Sequence, residues 1–212
     1  MITVTTLGRV PPFAQGLVRD LRVRWALEEA GLPYRTRLID PSIQASPDYR
    51  REQVFGQVPV LQDDDLTLFE SGAILLHIGA RSEVLLPADA EARARAVTWV
   101  FAALNTVEVV VQQLAAIDLF YAGEAWAKAH RPDLEEAVKG RLRELATWLG
   151  DQEHLEGGFT AGDLMMTTVL RNLRQTDLLA GEPKLAAYQQ RCEARPAFQR
   201  ALRDHMAVFE AA

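Results

Sequence analysis

Hydrophobic and polar positions along the 212-residue chain change period once, near residue 80. Ahead of that point, short alternating runs are mixed with one helical run. Ile2-Thr3-Val4-Thr5-Thr6-Leu7 alternates and is rich in β-branched residues, which predicts a first strand. A loop from Gly8 to Gly16, marked by Pro11-Pro12, follows. Apolar positions from Leu17 to Ala30 (Leu17, Leu21, Trp25) then recur at helix spacing, and Gly31 supplies a C-terminal stop. Pro33-Tyr34 leads into a second strand over Arg35 to Ile39. Residues 40–56 are polar and irregular, with a short helix expected near Pro47 to Gln53. The stretch from Gln57 to Ile78 is dense: an apolar run, Gln57-Val58-Pro59-Val60-Leu61; an acidic turn, Asp63-Asp64-Asp65; a second run, Leu66-Thr67-Leu68-Phe69; and a helix opened by Glu70-Ser71-Gly72.

Past a linker at 81–88 the strand signals vanish. Val97, Val100, Phe101, Leu104, Val107, Val111, Leu114 and Leu119 predict a long helix from Ala90 to about Phe120. Its Val109-Val110-Val111 run fits helix or strand equally. Gly123 marks a break, and Pro132 suits the first turn of a helix carrying Leu134, Val138, Leu142, Leu145 and Leu149. Gly157-Gly158 is expected to end it. Thr160 and Asp163 form a variant capping box for the next helix, with Phe159 and Leu164 as its hydrophobic staple. A last helix is expected through Leu185, Tyr188 and Cys192 to Arg195-Pro196.

Composition narrows the partners. The chain is 49% hydrophobic and 25% charged, an ordinary globular balance. Its net charge of −6 argues against a nucleic-acid partner held by phosphate contacts. No apolar run approaches the roughly twenty residues of a membrane span, so no membrane partner is expected. The N-terminus lacks a secretory pattern, and one cysteine, Cys192, permits no internal disulfide; both fit a cytoplasmic location. Cys192 reads as a buried small hydrophobe. His77, His130, His154 and His205 lack ligand spacing, and Asp63–Asp65 reads as a hairpin turn, so no metal is expected.

Ligand chemistry concentrates at 57–71. A residue before proline is driven extended, so Val58 offers a free N–H and C=O to an extended peptide. Ser71 opens a helix, whose N-terminal N–H groups attract a carboxylate, and Glu70 offers a partner for an ammonium group. Together these suit a small peptide with a free α-amino and α-carboxyl pair. Gln57-Val58-Pro59-Val60-Leu61 followed by Leu66-Thr67-Leu68-Phe69-Glu70-Ser71-Gly72-Ala73-Ile74 resembles the glutathione-site signature of the cytosolic glutathione S-transferase family. Arg22 to Tyr34, the Thr160–Asp163 box and Arg195-Pro196-Ala197-Phe198 resemble the same family, whose bacterial-type members it is expected to join. The resemblance implies an α+β chain: a thioredoxin-like, glutathione-binding domain (1–80), a linker (81–88) and an all-helical bundle domain (89–212). It implies glutathione as co-substrate, conjugated to a small apolar electrophile in detoxification, and a homodimer. Gln57, Val58, Pro59, Glu70 and Ser71 are its expected glutathione contacts, and Phe13, Trp99 and Asn105 its expected electrophile pocket.

One departure stands out. The family activates the glutathione thiol with a Tyr, Ser or Cys near the end of the first strand or the start of the first helix, yet residues 1–24 contain none of the three. Registers anchored on the first strand or on Arg22-Val23-Arg24-Trp25 bring Thr5 or Thr6, or Val18 and Arg19, to that place. Pro12-Phe13-Ala14-Gln15 resembles a segment of the omega class, with Pro11 where its cysteine stands. Thr5, Arg19, Gln15 or backbone N–H groups of the loop are thus the candidates for stabilising a thiolate. The alternatives are a non-catalytic protein binding glutathione or an apolar ligand on the same scaffold, or a glutathione-dependent isomerase, dehalogenase or peroxidase.

Overall fold

The computed structural model describes residues 1–210. They form two compact units: Met1–Ala88 together with Ala194 to Glu210, and Asp89–Glu193.

The first unit contains β1 (Ile2–Leu7), α1 (Asp20–Ala30), β2 (Tyr34–Ile39), α2 (Pro47–Glu52), β3 (Val60–Asp63), β4 (Leu66–Phe69) and α3 (Ser71–Gly79). The sheet order is β2-β1-β3-β4. β2 runs parallel to β1 because α1 carries the chain back between them, whereas the β3–β4 hairpin is antiparallel. Asp64-Asp65 closes that hairpin, Asp64 at φ 52, as the acidic turn predicts. Val4, Val60 and Leu61 of the sheet and Val23, Leu27, Ile74 and Leu75 of the helices are wholly enclosed. On β2, Arg35 and Arg37 donate at 2.8 Å to the hydroxyls of Thr3 and Thr5, their register partners on β1.

α1 starts at Asp20 rather than Leu17. Gly16 sits at φ 76, and its N–H donates 3.3 Å to His205 Nε2, so residues 17–19 stay in turns. His205 belongs to an unexpected helix. Where one last helix is expected, the chain makes α8 (Pro183–Glu193) in the second unit and a separate helix, Pro196–Glu210, in the first. Pro196 starts the latter, which it can do because its missing N–H is not needed there. This final helix packs on α1: Trp25 meets Phe198 edge-on at 4.8 Å, Arg195 pairs with Glu29, and Arg200 with Glu28. The helical unit therefore stops at Glu193, and the described residues from Ala194 to Glu210 belong with the first unit, packed on α1, a correction to the expected 89–212 span.

The second unit begins with α4 (Ala90–Ala102), one π-helical turn (Ala103–Val107) and α5 (Glu108–Phe120), continuous over 31 residues. The Val109–Val111 run is helical. By length and composition this helix could cross a membrane, contrary to the reading of apolar runs alone; 39% of its most apolar window is buried inside the protein, and a core helix of a globular bundle passes the same test. α6 runs from Ala125 to Leu149, so Pro132 lies inside it and not in its first turn. The N–H that Pro132 lacks would have bonded the carbonyl of Lys128, an exposed residue that water can serve. α6 ends at Gly150, φ 53, ahead of Gly157-Gly158. α7 (Ala161–Leu170) is buried throughout and carries the expected capping box: Thr160 accepts from the Gly162 N–H, and Asp163 accepts from the Thr160 N–H. Cys192 is buried.

Candidate functional site

The ligand elements of residues 57–71 assemble at one end of the hairpin. Sheet pairing ends at Val60, which faces Phe69 on β4 and Thr5 on β1, so Val58 lies beyond the ladder with a cis Val58-Pro59 bond. Tyr49, buried on α2, donates its hydroxyl 2.6 Å to the Gln57 carbonyl and so fixes the entry to Val58. Burial pushes that hydroxyl up to about 12, so it stays protonated as the donor. The Gln57 side chain is exposed.

Glu70 follows β4 directly and precedes α3. It holds φ 68, ψ 113, a backbone region that a residue with a Cβ seldom enters. Its side chain is exposed and does not cap the helix, so the N-terminus of α3 is left open to an outside anion. Ser71 occupies the first helical position and is 5% exposed, with Arg22 Nη1 donating 3.2 Å to its Oγ. Backbone strain of this kind clusters at ligand sites.

The thiol-activating candidates separate. Thr5 is wholly enclosed in β1 and accepts from Arg37; Thr6, 1% exposed, is enclosed beside it. Phe13 lies in a 3-10 turn (Pro12–Ala14) that Gln15 terminates, and Arg19 stands at the N-cap of α1; all three are half-buried. Behind this loop is a charge network: Gly16 N–H to His205 Nε2, His205 Nδ1 to Asp20 at 3.2 Å, and Arg24 Nε to Asp20 at 2.7 Å. Because Nε2 accepts from a backbone N–H, Nδ1 carries the imidazole proton and donates to Asp20. Burial works against the Asp20 charge. The hydrogen bond from His205, with the charge and hydrogen bond of Arg24, outweighs it and holds the carboxyl below its ordinary value.

In the helical unit, Asn105 is exposed on the π-helical turn, a feature frequent at functional sites. Trp99 is differently engaged: its indole N–H donates 2.7 Å to Glu156, its ring lies 5.4 Å from that of Trp148 at a tilt of 52°, and its Cβ abuts Gly162. A cleft of about 610 Å³ beside α6 contains none of the expected residues, and its Arg131, Glu135 and Lys139 are already ion-paired. Among the described residues no His, Cys, Asp and Glu group could hold a metal.

Residues 15–80 match the family model for the glutathione S-transferase N-terminal domain. Over 196 residues the chain is 30% identical to glutathione S-transferase 4 of Zea mays, covering 83% of each. The chain belongs to the glutathione S-transferase family. It is 26% identical to the human glutathione S-transferase P over 190 residues, 84% of this chain and 83% of that one. Among solved structures, a glutathione transferase family member from Pseudomonas fluorescens with two glutathione bound superposes with a TM-score of 0.83 at 25% identity, covering 95% of this transferase and 92% of that chain. A Burkholderia graminis glutathione transferase, with two glutathione molecules per subunit, gives 0.82 at 26% identity, covering 95% and 87%. The thioredoxin-like and helical halves expected from sequence are those of this fold. Tyr49, Arg22 and His205 escaped the sequence reading. Two arginines, Arg22 and Arg24, inside the fully buried run Asp20–Leu27 of α1 were the available signal for Arg22.

Proposed function

We propose that this family member binds glutathione at the Val58–Pro59 and Glu70–Ser71 elements and transfers its thiolate to a small apolar electrophile. Val58 pairs its backbone with the cysteinyl amide, Ser71 and the open end of α3 hold the γ-glutamyl carboxylate, Glu70 takes the ammonium group, and Gln57 adds a polar contact. The observation that carries this reading is Glu70. A strained, exposed acidic residue beside a buried serine at an open helix start fits an amino-acid head group, and no packing need accounts for it. With Thr5 enclosed, thiolate stabilisation falls to Arg19, Gln15 and the backbone N–H groups of the 8–19 loop. Phe13 and Asn105 are the electrophile contacts of choice. The protein is read as a bacterial-type member, cytoplasmic and homodimeric, with no resident metal.

The test is a glutathione titration followed, on the same sample, by a pH profile of thiolate ultraviolet absorbance. Binding with the thiol shifted well below its free pKa of about 8.5 supports the transferase. Binding with an unshifted thiol overturns the transfer step and leaves a glutathione-binding protein, the reading that the missing Tyr, Ser and Cys favours.

A further inference from the structure

Arg22 lies on α1, 3% exposed, and its Nη1 donates to the Oγ of Ser71 at 3.2 Å, across 49 residues of sequence. A serine hydroxyl has one proton to give and two lone pairs to accept with, whereas a guanidinium only donates. The Arg22 contact therefore uses a lone pair and leaves the Ser71 proton for a different acceptor. Without it, a serine in this position is free to turn its proton onto a nearby backbone carbonyl, as serines commonly do. Ser71 is also the first residue of α3, an end that no side chain caps. A hydroxyl fixed as donor beside helix N–H groups is a site for a carboxylate and a poor one for a group that must itself donate.

We propose that Arg22 is a positioning residue that fixes the Ser71 hydroxyl as a donor toward the α-carboxylate of the γ-glutamyl group, and thereby selects thiol peptides carrying that carboxylate. This rests on the glutathione reading above and adds the residue that enforces its selectivity. Arg22 touches no ligand in this scheme; its effect on binding runs through the Ser71 hydroxyl.

The experiment compares two ligands by calorimetry: glutathione, and 4-aminobutyryl-cysteinyl-glycine, which is glutathione without that carboxylate. The proteins are the wild type, Arg22→Met, Ser71→Ala, the double variant and Arg22→Lys. Arg22→Met is expected to weaken glutathione binding about tenfold, equivalent to ~1.4 kcal/mol, and to leave binding of the analogue within twofold. Ser71→Ala gives the same pattern, and the double variant loses no more than either single one, because both remove one interaction. Arg22→Lys, which keeps a donor, recovers part of the discrimination. Equal loss of both ligands in Arg22→Met, or additive losses in the double variant, would overturn the inference by making Arg22 scaffold only. Circular dichroism checks folding. Should Arg22→Met not fold, Arg22→Lys must weaken glutathione in the wild-type background and have no effect in the S71A background, and any other result refutes the role. A wild type that binds neither ligand removes the glutathione reading itself. A wild type that prefers glutathione, with Arg22→Met preferring it equally, removes only the role of Arg22.

Discussion

Replacing Glu70 by glycine should raise stability and lower binding together. The backbone at φ 68, ψ 113 is costly for a residue with a Cβ and less so for glycine, which lacks the Cβ that clashes there. Such strain amounts to roughly 1–3 kcal/mol. The Glu70 side chain is exposed and makes no cap, so its removal leaves no cavity and orphans no helix N–H. Against the relief stands the larger freedom of glycine in the unfolded chain, about 0.4–1 kcal/mol. The net gain is then roughly 0–2.6 kcal/mol. At roughly 2–4 °C per kcal/mol for a chain of this size, thermal melting followed by circular dichroism should move up by as much as about 10 °C. In the same variant, loss of the ammonium partner should weaken glutathione at least about tenfold, close to 1.5–3 kcal/mol for a charged hydrogen bond. A melting point that falls by a few degrees, as for glycine placed at an unstrained exposed site, with glutathione binding intact, would refute both the strain argument and the site.

Asp20→Asn leaves buried Arg24 without its charge partner and should cost about 3–5 kcal/mol in urea unfolding near neutral pH. The folded carboxyl titrates below its ordinary 3.8, so its contribution is complete above that value and is lost as pH falls through the lower folded one. The gap between wild type and variant should accordingly shrink in acid below pH 3.8, and a gap that widens there would contradict the assigned network. Thr160→Ala removes the hydroxyl that accepts from Gly162 and should cost about 0.5–2 kcal/mol of helical-unit stability without changing glutathione affinity, as read by urea titration and calorimetry. Gly162→Ala drives a methyl into the Cβ of Trp99 and the Ala96 carbonyl, and should destabilise by about 1–3 kcal/mol despite the better helix propensity of alanine, as read by urea unfolding followed by tryptophan fluorescence, to which the Trp99–Trp148 pair contributes.

Elements set by local periodicity were legible in the sequence: β1 over Ile2–Leu7, the Asp64-Asp65 hairpin and the Thr160–Asp163 box occur where alternation, turn residues and capping chemistry put them. So did the open start of α3 at Ser71. What escaped depends on contacts distant in sequence. Leu17–Arg19 carry helical apolar spacing, yet Gly16 is bonded to a histidine 189 positions away, and no local rule foresees that. The extra helix from Pro196 was masked because Arg195-Pro196 looks equally like an end and a beginning. Pro132 misled for the opposite reason: an exposed turn tolerates proline inside a helix, so the rule that proline opens helices gave the wrong start. At the candidate site, Val58, Glu70 and Ser71 were readable as motifs, whereas Tyr49 and Arg22, which bond the Gln57 carbonyl and the Ser71 hydroxyl, leave no pattern at fixed spacing.

The final helix has a consequence for biosynthesis. The unit it completes is interrupted by the whole of the other one, so a ribosome delivers its sheet, then more than a hundred residues of unrelated bundle, and only then the segment bearing Phe198 and His205. At 5–20 residues per second, the interval between Ala88 and Glu210 is roughly 6–24 s. Throughout it, the nascent first half exposes the Trp25 face and carries Asp20 and Arg24 without His205 above them. The contiguous bundle has all its own residues available before the first half does. The N-terminal half is thus the last to mature although it is the first to be made, and a chain cut short after Glu193 would present to chaperones and proteases the surface that the finished protein hides.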